Sequence, residues 1–98
     1  MKIENATITN VSDVYKLEDK HTPGVFHFYR DFVVRWFDDT SGRLCSLSFT
    51  LRDRMKDIPK LAVGKHVSLD YELFANEHNG RFYNNAHILG NCDLDITD

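Results

Sequence analysis

Residues 44–51, LCSLSFTL, alternate with a strict period of two: Cys45, Leu47, Phe49 and Leu51 against Ser46, Ser48 and Thr50. That period puts one set on each face of an extended chain, the mark of a half-buried β-strand. It recurs in Val67, Leu69, Tyr71 and Leu73 against Ser68, Asp70, Glu72 and Phe74. It recurs again in Phe82, Asn84, Ala86 and Ile88 against Tyr83, Asn85, His87 and Leu89. Asn79-Gly80 lies between these last two runs, and both residues accept positive φ cheaply, which predicts a tight hairpin. The class this periodicity selects is all-β.

The first half of the chain adds two more runs. Ile3 to Tyr15 reads as a first strand, with a kink near Asn10. The polar stretch KLEDKHTPG (16–24) reads as a loop closed by Pro23-Gly24. Val25 to Phe37 is β-branched and aromatic, and its second half sets Phe32, Val34 and Trp36 against Asp31, Val33, Arg35 and Phe37. DDTSG (38–42) then turns the chain. Residues 53–58 have room for about one helical turn, with Asp53 as N-cap, Met55 and Ile58 on one face and Pro59 as the stop. Gly64 is expected to supply a positive φ before the fourth strand.

Three strands, a short helix and two strands must either expose sheet edges or close on themselves. The expected architecture is a five-stranded OB-fold, a Greek-key barrel with its short helix between strands 3 and 4. An open sandwich is the other arrangement, less suited to so few strands. Residues 1–91 would form the domain, with Phe49, Leu69 and Ile88 buried together, and residues 92–98 a short acidic C-terminal tail.

Composition bounds the function. Ninety-eight residues, 42% of them apolar, make one domain that can build a core without disulfides or metal. The net charge of -3 gives no overall basic field. The charge is uneven, however. Residues 43–66 carry Arg43, Arg52, Arg54, Lys56, Lys60 and Lys65 against Asp53 and Asp57, whereas 67–98 carry Arg81 against six carboxylates. Cys45 and Cys92 have no metal-ligand spacing and read as small hydrophobes. No signal-peptide h-region and no run of transmembrane length is present, so a cytoplasmic location with reduced thiols is expected.

Residues 46–88 carry three further motifs: SFTL before the short helix, LAVGKHVSL leading into the fourth strand, and the NGRFY turn into the fifth. In these the chain resembles the second half of bacterial single-stranded-DNA-binding proteins. It is more similar still to a family of short bacterial OB-fold proteins known only as a domain of unknown function. The resemblance implies the OB-fold and, through it, nucleic-acid binding. The terminal DLDITD differs from the partner-recruiting tails of the DNA-binding proteins in lacking an apolar last residue and a long linker.

Binding a single strand requires a positive groove and outward rings on which bases stack. OB-folds present that surface on strands 2 and 3, flanked by the loops joining strands 1 to 2 and 4 to 5. Alternation turns Arg35 and Phe37 outward on the second strand. Tyr83 and His87 stand on the fifth, and His78 and Arg81 at the hairpin before it. Arg43, Arg52 and Arg54 are expected to meet phosphates, and Trp36 and Phe49 to be core. The five histidines share no metal-ligand spacing, and no nucleophile, phosphate-loop or paired-carboxylate motif occurs, so neither metal, cofactor nor catalysis is expected. Two functions follow from this reading. One is a weakly sequence-selective binder of single-stranded nucleic acid, DNA by the resemblance. The other is an interaction or assembly module using the same outer face, with a homodimer as the expected assembly.

Overall fold

The computed structural model describes the backbone of residues 1–58, 60–89 and 94–98, while the side chains at 54, 55, 76, 78, 82, 83 and 84 lie outside the described set. Seven strands occur among these residues: β1 (Lys2–Val11), β2 (Tyr15–Glu18), β3 (Phe26–Asp38), β4 (Arg43–Arg52), β5 (His66–His78), β6 (Arg81–Ile88) and β7 (Asp95–Thr97). Every pairing is antiparallel. The protein is all-β, as its alternation requires. Among the described residues no helix is long and apolar enough to cross a membrane.

The expected first strand is two. β1 pairs with β3 through Val11↔Phe32, with its register shifting between Ile8 and Asn10, the site of the expected kink. Its ladder then ends at Ser12, whose hydroxyl accepts from the Asp31 N–H at 2.8 Å while its carbonyl accepts from Arg30 Nε at 3.1 Å. The chain re-enters the sheet as β2, pairing Tyr15↔Tyr29 through Glu18↔Phe26. The first third of the polar stretch read as a loop, Lys16 to Glu18, is therefore strand. Asp19 makes the turn instead, its Oδ1 accepting from the N–H groups of His21 and Thr22, and Gly24 completes it at φ 85°.

The sheet runs β4-β3-β1-β5-β6, with β2 beside the first half of β3 and β7 beside the start of β5. β4 pairs with β3 over ten residues, Tyr29↔Arg52 to Asp38↔Arg43. β5 and β6 form the Asn79-Gly80 hairpin, with φ of 53° and 76° at its tip as the turn chemistry demands. Gly64 takes the expected positive φ, 91°. The segment between β4 and β5 is a 3₁₀ turn, Asp53–Asp57, and not an α-helical one. Arg52 is the residue before it, and Asp53 makes no N-cap. At φ 52° the Asp53 carboxylate reaches back across the sheet, accepting from the Phe28 N–H at 3.1 Å. The helix stop assigned to Pro59, the helical face of Met55 and the environment of Cys92 lie outside the described residues.

The sheet curls around one core. Ile3, Ala6 and Ile8 of β1, Phe32 and Val34 of β3, Phe49 and Leu51 of β4, and Val67, Leu69 and Tyr71 of β5 are all buried. Phe49 sits at its centre, stacked on Phe32 at 5.5 Å and meeting Tyr71 edge-on at 5.9 Å. Leu69 joins the core, and Ile88 packs against it half-buried. The described part of the expected acidic tail, residues 94–98, contains a strand. β7 pairs with His66–Ser68 and buries Ile96 in the core, and its neighbours Asp95 and Thr97 stay outside by the same period-two alternation.

The barrel does not close. Among the described residues no ladder joins β4 to β6, and the two edges line a cleft between them. Serine, threonine, arginine, asparagine and histidine side chains stand along these edges. Polar and charged groups of this kind keep unpaired strands solvated and oppose their zipping together.

Candidate functional site

The cleft where β4 faces β6 has a volume of about 580 Å³. β4 contributes Ser48, Thr50 and Arg52, which alternation turns away from the core-facing Phe49 and Leu51. β6 contributes Asn85 and His87, while Ala86 and Ile88, packed against the core, form its apolar side. His87 stacks on Phe74 of β5 with ring centroids 4.1 Å apart and planes 23° from parallel. Phe74 itself remains 38% exposed. The result is an open groove with hydroxyl, amide and guanidinium donors and an aromatic stack at its rim.

The outer face of β3 and β4 continues from this groove. Cross-strand partners share a face, so Tyr29/Arg52, Asp31/Thr50, Val33/Ser48, Arg35/Ser46 and Phe37/Leu44 line it in order. Tyr15 of β2 stacks on Tyr29 at 5.6 Å and donates its hydroxyl to Asp31 at 2.9 Å. Thr50 Oγ1 donates to the same carboxylate at 2.7 Å. Burial raises the Tyr15 pKa, and the Asp31 carboxylate adds to the rise. The Tyr15–Tyr29 stack ends beside Arg52, the cross-strand partner of Tyr29.

The expected residues divide. Arg35 and Phe37 point outward, as alternation requires, and Phe37 is 60% exposed. Arg52 and His87 meet in the groove. Arg81 is exposed at the hairpin end, paired with His78. Arg43 departs from expectation, because it opposes Asp38 and shares its side of β4 with Cys45, Leu47 and Phe49. It stands beyond the end of the core on the face opposite Arg35 and Arg52. Arg52 and Arg35 share a face but not a neighbourhood, since six residues of extended chain separate their positions along β3, about 20 Å. The side chains of Arg54, His78 and Tyr83 lie outside the described residues.

One cluster was not foreseen. His27, half-buried on β3, has Nε2 at 2.8 Å from Asp19 Oδ2 and Nδ1 at 3.4 Å from Asp53 Oδ2. Asp53 Oδ2 is also 3.4 Å from Arg52 Nε, so the cluster touches the groove. Both carboxyl pKa values lie below their ordinary range. For Asp19 the His27 hydrogen bond is the largest cause, followed by the His21 N–H. For Asp53 the Phe28 N–H leads, with His27 and Arg52 adding to it. A depressed folded-state pKa stabilises above the unfolded value and is lost as pH falls through the folded one. Stability should therefore decline below about pH 4, where unfolded carboxylates begin to bind protons. Asp19→Asn with Asp53→Asn should flatten that decline, as read from urea midpoints at pH 5 and pH 3. Parallel curves for the two proteins would rule this out.

No family model, curated protein or solved structure matches this chain.

Proposed function

We propose that the protein is a non-enzymatic OB-fold module that binds single-stranded nucleic acid, DNA in the first instance, with weak sequence selectivity. The order β4-β3-β1-β5-β6 supports the fold reading. With β2 taken as an extension of the first hairpin and β7 as a terminal addition, that order is compatible with an opened OB-fold, and the 3₁₀ turn lies between the third and fourth of its strands, where the fold would carry a short helix. The resemblance of residues 46–88 to single-stranded-DNA-binding proteins points the same way.

The observation that carries the functional reading is the groove between β4 and β6. Arg52 supplies a cationic donor there, Ser48, Thr50 and Asn85 supply neutral ones, and the Phe74–His87 stack offers a ring to an unpaired base. Duplex bases are already stacked on one another and cannot use that ring, so the site favours single strands. Titration of a labelled single-stranded oligonucleotide, with the same sequence as duplex for control, tests the reading. Preferential single-strand binding, weakened by Arg52→Ala, is the expected result. No binding at 50 mM salt or below would end it.

A second reading, an interaction module, draws on a different observation. Phe37 and Leu44 are cross-strand partners, each 60% exposed. An apolar pair standing out this far on so small a domain is suited to a contact with another protein surface, a second copy included. Sedimentation across micromolar concentrations should give a dimer that Phe37→Ser converts to monomer. A monomer throughout would leave the pair to the nucleic-acid reading.

A further inference from the structure

The groove is wired to a histidine that lies outside it. A neutral imidazole carries one N–H and one lone pair, whereas the protonated ring donates from both nitrogens. His27 has a carboxylate oxygen opposite each nitrogen, Asp19 at 2.8 Å and Asp53 at 3.4 Å. Only the imidazolium can donate to both. In the neutral ring, one lone pair must face a carboxylate. Asp53 is the more weakly held of the two, and it is the one shared with Arg52.

We infer that His27 is a proton-operated control on the anion affinity of the groove, acting through Asp53 on Arg52. Protonated His27 holds the Asp53 carboxylate and neutralises part of the charge beside Arg52, which leaves the guanidinium to an incoming phosphate. When His27 is neutral, Asp53 turns its charge to Arg52 and competes with the ligand. The inference rests on the proposed binding of nucleic acid for its consequence, but not for its mechanism.

The surroundings support this wiring. Phe28 fixes Asp53 Oδ1 through its N–H, so Oδ2 is the oxygen left to pivot between His27 and Arg52. Asp19 is held by its own turn, with Oδ1 occupied by the His21 and Thr22 N–H groups. The cross-strand partner of His27 is the uncharged Leu17. Lys16 and Glu18 pair with Phe28 and Phe26 and so fall on the other face of the hairpin. In the 3₁₀ turn, Lys56 is engaged with Asp57 and lies over the Phe28 ring. Tyr15, Tyr29 and Asp31 follow along the same outer face. Among described side chains, Asp19 and Asp53 are the charged groups within ion-pair distance of the imidazole.

The test compares single-stranded oligonucleotide affinity at pH 8 and pH 5.5, a range spanning the ordinary titration of histidine. Four proteins are needed: the natural chain, His27→Gln, Asp53→Asn and His87→Gln. Exposed ion pairs are weak, so the change attributable to His27 should be about two- to fivefold. The natural chain should show that gain on acidification, and His87→Gln, whose basal affinity falls with the loss of the groove ring, should keep the share of the gain that His27 carries. His27→Gln should lose it, and Asp53→Asn should bind about as tightly at pH 8 as the natural chain does at pH 5.5. An undiminished pH response in His27→Gln would overturn the proposal. If no oligonucleotide binds at either pH, the function reading fails, and NMR of the natural chain decides the switch alone. The Arg52 Nε–H resonance should then move with the His27 ring titration, and a resonance that ignores it would dispose of the switch.

Discussion

Phe49→Ala is expected to cost about 3–5 kcal/mol of stability, the range for removing a buried phenyl ring and leaving its cavity. Phe49 is 1% exposed and joins three strands, since its ring contacts Phe32 of β3 and Tyr71 of β5 from its own position on β4. Neighbours held by long ladders on either side cannot collapse into the space. A domain of this size has roughly 5–15 kcal/mol in all, so the loss is a large share. At about 4–8 °C per kcal/mol, Tm should fall by about 12–40 °C. Phe37→Ala makes the contrast. With 60% of Phe37 exposed, its stability should stay within about 0.5 kcal/mol of the natural chain. Thermal and urea unfolding followed by circular dichroism would check both. A loss below about 1 kcal/mol for Phe49→Ala would mean that the core is not where the alternation puts it.

Salt should weaken single-strand binding about twentyfold between 50 and 200 mM, on the proposed function. Three arginines on the outer side, Arg35, Arg52 and Arg81, are taken to meet one phosphate each. Each contact contributes a slope of roughly -0.7 in log affinity against log salt, about -2 together. Arg52→Ala should reduce the slope by about 0.7. Arg43→Ala should leave it unchanged, because that side chain stands on the other face of β4. Phe74→Ala should lower affinity at every salt concentration and leave the slope alone, since stacking releases no counterions; about 1–3 kcal/mol per base is the scale. Equal slopes for Arg52→Ala and the natural chain would remove Arg52 from the interface. A slope change in Arg43→Ala would show that the ligand wraps to the opposite face.

How much of this could be read in advance depends on how local each feature is. The inward set Phe32, Val34 and Trp36, the outward set Arg35 and Phe37, and the Phe49 face of β4 follow from alternation alone, because extended backbone reverses side-chain direction at every residue. The Asn79-Gly80 hairpin is equally local, since positive φ at its two tip residues is a property of those residues. Even the face of Arg43 was legible. It shares odd parity with Cys45, Leu47 and Phe49, so alternation alone separates it from Arg52, whereas a count of basic residues over 43–66 carries no information about faces.

The rest depended on what met what. Nothing local ends β1 at Ser12; the Asp31 and Arg30 contacts that terminate its ladder come from a later strand. The acidic residues of 92–98 suggested a solvated tail, but Ile96 finds a place in the core because β5 has an open edge at His66–Ser68. The His27 cluster needed both the turn that returns Asp19 and the Tyr29↔Arg52 register that delivers Asp53. The open cleft is the most global feature of all. Side-chain direction is set residue by residue, whereas the separation of two sheet edges accumulates the twist, curl and register of every strand between β4 and β6, and no short stretch of sequence contains that sum.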